Sequence, residues 1–549
     1  MAAISQLIND FLANEWELWP VKASSVGLTQ HDERLDDMSA EAFRRRDDDA
    51  ADWMRRFEAV PDDDLQPDEQ IDRDLVVAML RGRLIQAEWQ GWRRDPLVYS
   101  APIMDGLFTL FLHRLRPEGD LVDAAVARLE QVPRALEQGK ANLDPAMAPR
   151  LFVERGLASA RGGGRYLREL LPEEAQSADG QRRLRAAGAV AADALAEWVS
   201  HLERLAEQAS GDWVYGEERY TRLLRERESL AHDARSLREM GQAEYDRLDR
   251  EMAQVAREAD GSDDWRAVLE RANQDHPETE QEMRETYAEW TERARTFLVE
   301  RGLVSLPEGE SCRVDPSPVF MRPVLGVAFY IAPPTFAETM AGYYFVPYAP
   351  DGASADEVQK RLASNSFGSI PSTSVHEAYP GHHWHLAWAK QQSSPLRNVL
   401  GTPYFVEGWA LYAERLMREQ GFFTEPMQVL YHLEATIFRA ARIVVDTSLH
   451  LGEMSFEDAV QFMVRNVSMP EPTARAEVGR YCWWPTQASS YLTGCLEILA
   501  MRDRYVAANA EPGASAANAD IGLLRRFHDR LAGSGRLPLG LAERALNAE

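Results

Sequence analysis

Through its first 300 residues the chain places apolar side chains three and four positions apart. Ala191, Leu195, Trp198, Leu202 and Leu205 are spaced 4, 3, 4 and 3, with Glu, Arg and His between them. That spacing predicts an amphipathic helix with one stripe turned to a core. Residues 217–300 continue as a charged run rich in Glu, Arg and Ala. Heptads are not sustained there, which predicts packed helical hairpins and not a coiled coil. Arg161-Gly-Gly-Gly-Arg165 interrupts the helical pattern and reads as a loop or hinge. It is no phosphate loop, since no Lys-Ser/Thr follows it. After Leu303 the period changes. Val324–Ile331 and Tyr343–Val346 are short β-branched and aromatic runs, expected to pair as strands. Such a pair could offer an edge to an extended peptide or form a lid or wall. Helical patterning resumes to about residue 507, and Ala507–Asp520 reads as a surface loop. The pattern predicts a mainly α fold with a small β-sheet. Residues 1–302 form a helical lobe, and 303–549 a second lobe with the sheet and the C-terminal helices.

Charge narrows the partners. Lys and Arg total 61 against 88 Asp and Glu, a formal charge of −27, and the pI is about 5.0. Phosphate contacts want basic surface, so nucleic acid is excluded as a partner. The acidic surface favours solubility and suits cationic substrates. No stretch approaches the roughly 18 uninterrupted apolar residues of a membrane span, and the first ten residues lack a basic, then apolar, leader pattern. The three cysteines, Cys312, Cys482 and Cys495, form no metal-binding CxxC pair and suit a reducing compartment. A cytoplasmic location is expected, with no membrane partner. The sequence is silent on oligomeric state.

The chemistry concentrates in His376-Glu-Ala-Tyr-Pro-Gly-His-His-Trp-His385. Twelve histidines in 549 residues predict roughly 0.2 in a ten-residue window, and this window holds four. It begins like the HExxH motif, in which two histidines four apart share a helical face and one metal. Here Pro380 and Gly381 precede the second histidine. On a straight helix His383 would return to the face of His376 but lie roughly 10 Å along the axis, too far for one ion. Pro380 breaks the helix and Gly381 relaxes the backbone, so a bulge could absorb two residues and restore the phase. His382 then takes the second ligand position; His383 is the rival if the bulge is smaller.

A third ligand is needed. In Phe405-Val-Glu-Gly-Trp-Ala-Leu-Tyr-Ala-Glu414, the residues Phe405, Trp409, Tyr412 and Leu416 mark a buried stripe, and Glu407 and Glu414 share another face two turns apart. Glu407, at the helix start, is favoured as the ligand, with Glu414 orienting a ligand from behind. The plain alternative turns both acids to solvent. Glu377 is placed to act as general base. Tyr481 and Tyr491 are candidate oxyanion donors. Tyr344 is a further candidate on the substrate side. Arg439 and Arg442 lie three apart on an otherwise apolar helix. They are expected to form buried ion pairs with acids such as Asp446 or Glu414, or else to hold a substrate carboxylate. His450 closes that helix, and His385 receives no role.

HEAYPGHH, FVEGWALYAE, Arg439 to His450, Tyr481 to Gly494, Phe527-His-Asp529 and Gly535-Arg-Leu-Pro-Leu539 together resemble the bacterial domain-of-unknown-function 885 family. That family is in turn similar to zinc peptidases of the thimet oligopeptidase and carboxypeptidase Taq kind. The resemblance implies a large helical, zincin-like fold with a deep channel, and supports Glu407 as third ligand; the motifs make 303–549 the expected catalytic lobe, integrated with the first. It implies a Zn2+-dependent hydrolase cleaving peptides, either from an end or internally. A small-molecule amide or ester hydrolase is the second expectation. A metal-free helical binding protein with a degenerate motif is the third.

Overall fold

The structure is a computed structural model that describes residues 2–319, 321–322, 326–510 and 519–548. It is mainly helical, with one small three-stranded sheet. The chain divides into two compact units, Met1–Trp213 with Pro334–Thr339, and Val214–Pro333 with Met340–Glu549. The expected boundary at 302/303 therefore falls inside the second unit. The reason is packing: the charged helix Ala234–Asp260 lies along Pro426–His450 so closely that a Cβ on Gly241 would sit 2.5 Å from the Ile443 side chain. Local charge gave no sign of that long-range partner.

The first unit is a set of helices, among them Glu118–Asn142, Arg150–Arg165 and Ala178–Gln208. The predicted stripe of Ala191, Leu195, Trp198, Leu202 and Leu205 is buried along the last of these. Ser177 caps it by accepting from the Gly180 N–H. The glycine run at 162–164, expected as a loop, lies within Arg150–Arg165. Gly163 sits where a Cβ would be 3.0 Å from the Met104 sulfur, so close packing outweighs poor helix propensity there.

In the second unit, β1 (Ser311–Pro316), β2 (Phe329–Ile331) and β3 (Ala341–Val346) form a sheet in the order β1-β3-β2. The expected pairing is present: β2 runs antiparallel to β3, with Tyr330 opposite Tyr344. Val324 and Leu325 of the first predicted strand lie outside the described residues. β1, which joins β3 in parallel, alternates Cys312 and Val314 with Ser311, Arg313 and Asp315, but over too few residues for the sequence to single it out as a strand. It makes Tyr344 part of the central strand, so β3 is not an edge for a peptide. Of the predicted surface loop, residues 511–518 lie outside the described set; the preceding helix runs to Asn509 and the next begins at Ile521.

Candidate metal centre

Two short helices, Ile370–Glu377 and His382–Lys390, carry the histidine cluster. Between them Ala378–Gly381 leaves the helix, with the Tyr379–Pro380 peptide cis. The hydrogen bonds across this break count its length. The Gly381 N–H donates to the Val375 carbonyl at 3.1 Å, and the Trp384 N–H to Ala378 at 3.2 Å. Both span six residues, where an α-helix spans four. Two residues are thus looped out, and by His385, which bonds to the Gly381 carbonyl at 3.0 Å, the ordinary ladder has resumed. The position of His382 six after His376 becomes equivalent to four after it. Gly381 permits this because a Cβ there would run into the carbonyl oxygens of His376 and Val375. From helix Pro403–Glu419, Trp409 donates its indole N–H to the Pro380 carbonyl at 2.8 Å and stacks on Trp384 at 5.4 Å.

The consequence is convergence. The His376 and His382 rings stand edge to face at 4.8 Å. Glu407 Oε2 lies 3.7 Å from His376 Nε2 and 3.4 Å from His382 Nε2. One donor atom each from His376, Glu377 and His382 also falls within 4.8 Å of the others. Glu407 reaches the cluster from helix Pro403–Glu419, which opens on a proline in its first turn. The opposite stripe of that helix, Phe405, Trp409, Tyr412 and Leu416, is buried as its spacing predicted. Gly408 lets this helix touch Ser490–Asn509, since a Cβ there would lie 2.5 Å from the Gly494 backbone. That approach brings Tyr491 beside the cluster, with its ring stacked on His376 at 6.5 Å.

Behind His376 lies Glu414, buried rather than solvent-facing. It accepts from Ser372 Oγ at 2.5 Å, and pairs with His376 Nδ1 at 2.8 Å and His432 Nδ1 at 3.3 Å. Burial would raise its pKa, but these bonds to His376 and His432 hold it well below the carboxylate range. Bonded at Nδ1, His376 turns Nε2 toward Glu407 and His382. Burial alone would lower the His376 pKa; Glu407 and Glu414 outweigh it and lift it to about 9. Glu407 is likewise held low, its own burial overcome by the two imidazoles. Burial raises the Glu377 pKa. Three carboxylates around two imidazoles make a pocket that favours a cation, and two ring nitrogens with a carboxylate oxygen form the donor set that suits zinc. Replacing Glu414 by Ala is expected to weaken zinc binding about 10- to 100-fold without removing any of the three converging donors. Competition against a chelator measures it, and unchanged affinity would exclude the orienting role.

His383, the rival ligand, points elsewhere. Its Nε2 bonds Glu310 Oε2 at 2.7 Å and its Nδ1 meets the Tyr330 hydroxyl at 2.9 Å. Glu310 also accepts from the Tyr379 hydroxyl and pairs with Arg295 at 3.1 Å. Two residues flanking Pro380-Gly381 are therefore pinned to one buried acid at the start of the sheet. His385 is buried and donates to the Gly535 carbonyl at 3.2 Å; burial drives its pKa down to about 3. Tyr344 is buried edge-on to Tyr287 at 5.7 Å, and its hydroxyl, deprotonated with difficulty because of burial, also feels the charge of Glu377.

The two candidate oxyanion donors separate. The Tyr481 hydroxyl donates to Glu477 at 2.7 Å and accepts from Arg442 Nε at 3.2 Å, so it is committed to an ion-pair network. Tyr491 accepts from Gln487 Nε2 at 3.3 Å, leaving its own proton to give. Arg442 pairs with Glu477 at 2.9 Å and not with Asp446 or Glu414. Asp446 instead accepts from the Tyr220 hydroxyl at 2.6 Å, and burial lifts its pKa to about 7. His450 is buried between the Tyr215 N–H and the Tyr481 carbonyl. Glu310, His432, Ser372 and Glu477 were missed in the sequence. Glu310 and His432 lie 73 and 18 residues from the groups they meet, and Ser372 and Glu477, though each four residues before a motif residue, carry no distinguishing local pattern.

A helical protein with a small sheet and a buried His-Glu-His-Glu cluster is the class these features define. The chain belongs to the DUF885 family of bacterial proteins of unknown function, whose profile matches residues 20–546. Two solved structures share its fold. One is a candidate lipoprotein of unknown function from Shewanella oneidensis, 20% identical, covering 99% of each chain with a TM-score of 0.79. The other is a candidate lipoprotein from Colwellia psychrerythraea, 18% identical, covering 99% of this chain and 98% of that one, with a TM-score of 0.83. No curated protein gives a significant match. The three cysteines here are free, and among the described residues no helix is long and apolar enough to cross a membrane.

Proposed function

We propose that this protein is a zinc-dependent hydrolase, most simply a metallopeptidase, with His376, His382 and Glu407 as the metal ligands. The observation that carries the reading is the convergence of Glu407 Oε2 on both Nε2 atoms, at 3.7 and 3.4 Å, beside Glu377. Zinc held there supplies Lewis acidity and acidifies water toward a pKa of about 7. The chain's own groups do the rest. Glu377 takes the proton of the attacking water on a carboxylate oxygen and returns it to the leaving nitrogen. Its burial beside two imidazoles, which favours the protonated form more than water would, suits both halves of that task. Tyr491 offers its hydroxyl proton to the oxygen that gains charge on the attacked carbonyl. Glu414 fixes His376 in the tautomer and orientation that present Nε2. A zincin-like arrangement, with the cluster at the base of a channel that admits a peptide, is the architecture this reading expects.

Zinc analysis of the purified chain tests it. About one zinc per chain is expected in the unaltered protein and in His383→Ala, and almost none in His382→Ala. Zinc retained by His382→Ala but lost from His383→Ala would reverse the ligand assignment. A chain that takes up no zinc, and hydrolyses no peptide when zinc is supplied, would remove the proposal altogether.

A further inference from the structure

Helix Pro426–His450 sends two arginines toward Tyr491, and they have different fates. The Arg442 guanidinium lies 4.8 Å from the centre of the Tyr491 ring and is neutralised by Glu477 at 2.9 Å. Arg439 lies 5.6 Å from the same ring. Its one hydrogen bond among the described residues runs from Nη1 to the Ala435 carbonyl of its own helix, at 2.8 Å. Among the described residues no carboxylate approaches it within ion-pair distance, and its Nε is buried without an acceptor. In a chain with 88 acidic residues, a half-buried arginine left without one stands out. Glu434, five residues earlier, does not serve: burial pushes its pKa up to about 7, and it forms no ion pair with Arg439.

We propose that Arg439 anchors the terminal carboxylate of the substrate, so that the bond cleaved is the one next to a free C-terminus. The substrate class is then peptides, dipeptides included, or acyl-amino acids with an unblocked carboxylate. The inference rests on the hydrolase reading above and deepens it. A guanidinium offers five N–H donors in a planar fork that matches a carboxylate with two parallel bonds, and Arg439 has spent one. Its place also fits. The Tyr491 ring that it faces is the ring that stacks on His376. In a C-terminal residue the attacked carbonyl and the carboxylate are one residue apart, about 3.3–3.6 Å along an extended chain. An anchor for that carboxylate must lie this close to the cluster. Arg439 is also near enough to interact electrostatically with Glu377 and Glu414.

Binding tests this without turnover. The full chain carrying Glu377→Gln is titrated calorimetrically with an N-acetyl dipeptide and with the same dipeptide as its C-terminal amide. The free acid is expected to bind at least about 10-fold more tightly than the amide, the scale of hydrogen bonds to a charged group. Adding Arg439→Gln should weaken the acid about 10- to 100-fold and leave the amide unchanged, whereas Arg439→Lys should retain part of the preference. Equal binding of acid and amide, no binding of either, or a preference that survives Arg439→Gln would each overturn the anchor. The comparison of acid with amide needs no change at Arg439, so a variant that fails to fold does not obscure it. Zinc content is measured on the same sample. A chain without zinc that still prefers the acid would remove the hydrolase reading and keep the anchor; a zinc-loaded chain without the preference would do the reverse.

Discussion

Glu377→Gln is expected to lower peptide turnover by about 10²- to 10⁴-fold while zinc content stays that of the unaltered protein. Gln has nearly the shape of Glu and removes only the ability to accept and return a proton. The carboxylate it replaces is buried beside His376 and His382, and burial raises its pKa. That shift makes it a stronger base than a surface glutamate and a competent acid in the second step. The three donors that hold the metal in the proposed arrangement are His376, His382 and Glu407, all untouched. Elemental analysis and steady-state kinetics on one preparation give both numbers. Loss of zinc with activity would place Glu377 among the ligands, which its proximity to both histidines permits. Full activity with Gln would leave the proton transfer to another group and end the assignment.

The helices around the site were legible because their periods are local. Phe405, Trp409, Tyr412 and Leu416 announce a buried stripe, and they are buried. The acids Glu407 and Glu414, read from seven-residue spacing, do share a face, and one lies nearer the cluster while the other stands behind it. The two-residue bulge was also readable, since Pro and Gly at that place leave few other ways to bring a histidine back into phase. What could not be read was every group that arrives from far along the chain. Glu310 reaches His383 across 73 residues and Glu477 reaches Arg442 across 35. Ser311–Pro316 does alternate, with Cys312 and Val314 less exposed than Ser311 and Arg313, but two apolar positions ending in Asp-Pro are too short a run to announce a strand. The glycine run at 162–164 misled for the opposite reason: a signal read as local disruption is outweighed by a tertiary contact with Met104. The split between Arg439 and Arg442 likewise depends on where Glu477 falls, not on the two arginines themselves.

Gly381→Ala should cost the second unit about 1–3 kcal/mol of stability and weaken zinc binding about 100-fold or more, larger than the effect of any single orienting residue. The methyl group would collide with two carbonyl oxygens, those of Val375 and His376. These are backbone atoms of the preceding helix and cannot rotate away as a side chain can. Relief requires the loop to move, and the loop carries the phase of His382. One of the two carbonyls, Val375, also accepts the Gly381 N–H in the six-residue bond that loops out the extra pair. Pushing the chain off that bond should therefore separate His382 from Glu407 before it unfolds anything else. The Trp409 bond to the Pro380 carbonyl, and the Tyr379 and His383 bonds to Glu310, hold the loop from two sides and resist the shift. That resistance converts the clash into lost stability rather than a small adjustment. Gly479→Ala is the control, since a Cβ there meets nothing within 4 Å and the glycine lies inside helix Glu471–Trp483. It should be neutral or stabilising by up to about 1 kcal/mol. Thermal melting and zinc titration of both variants decide the matter. If Gly381→Ala binds zinc as the unaltered protein does, the insertion does not set the position of His382.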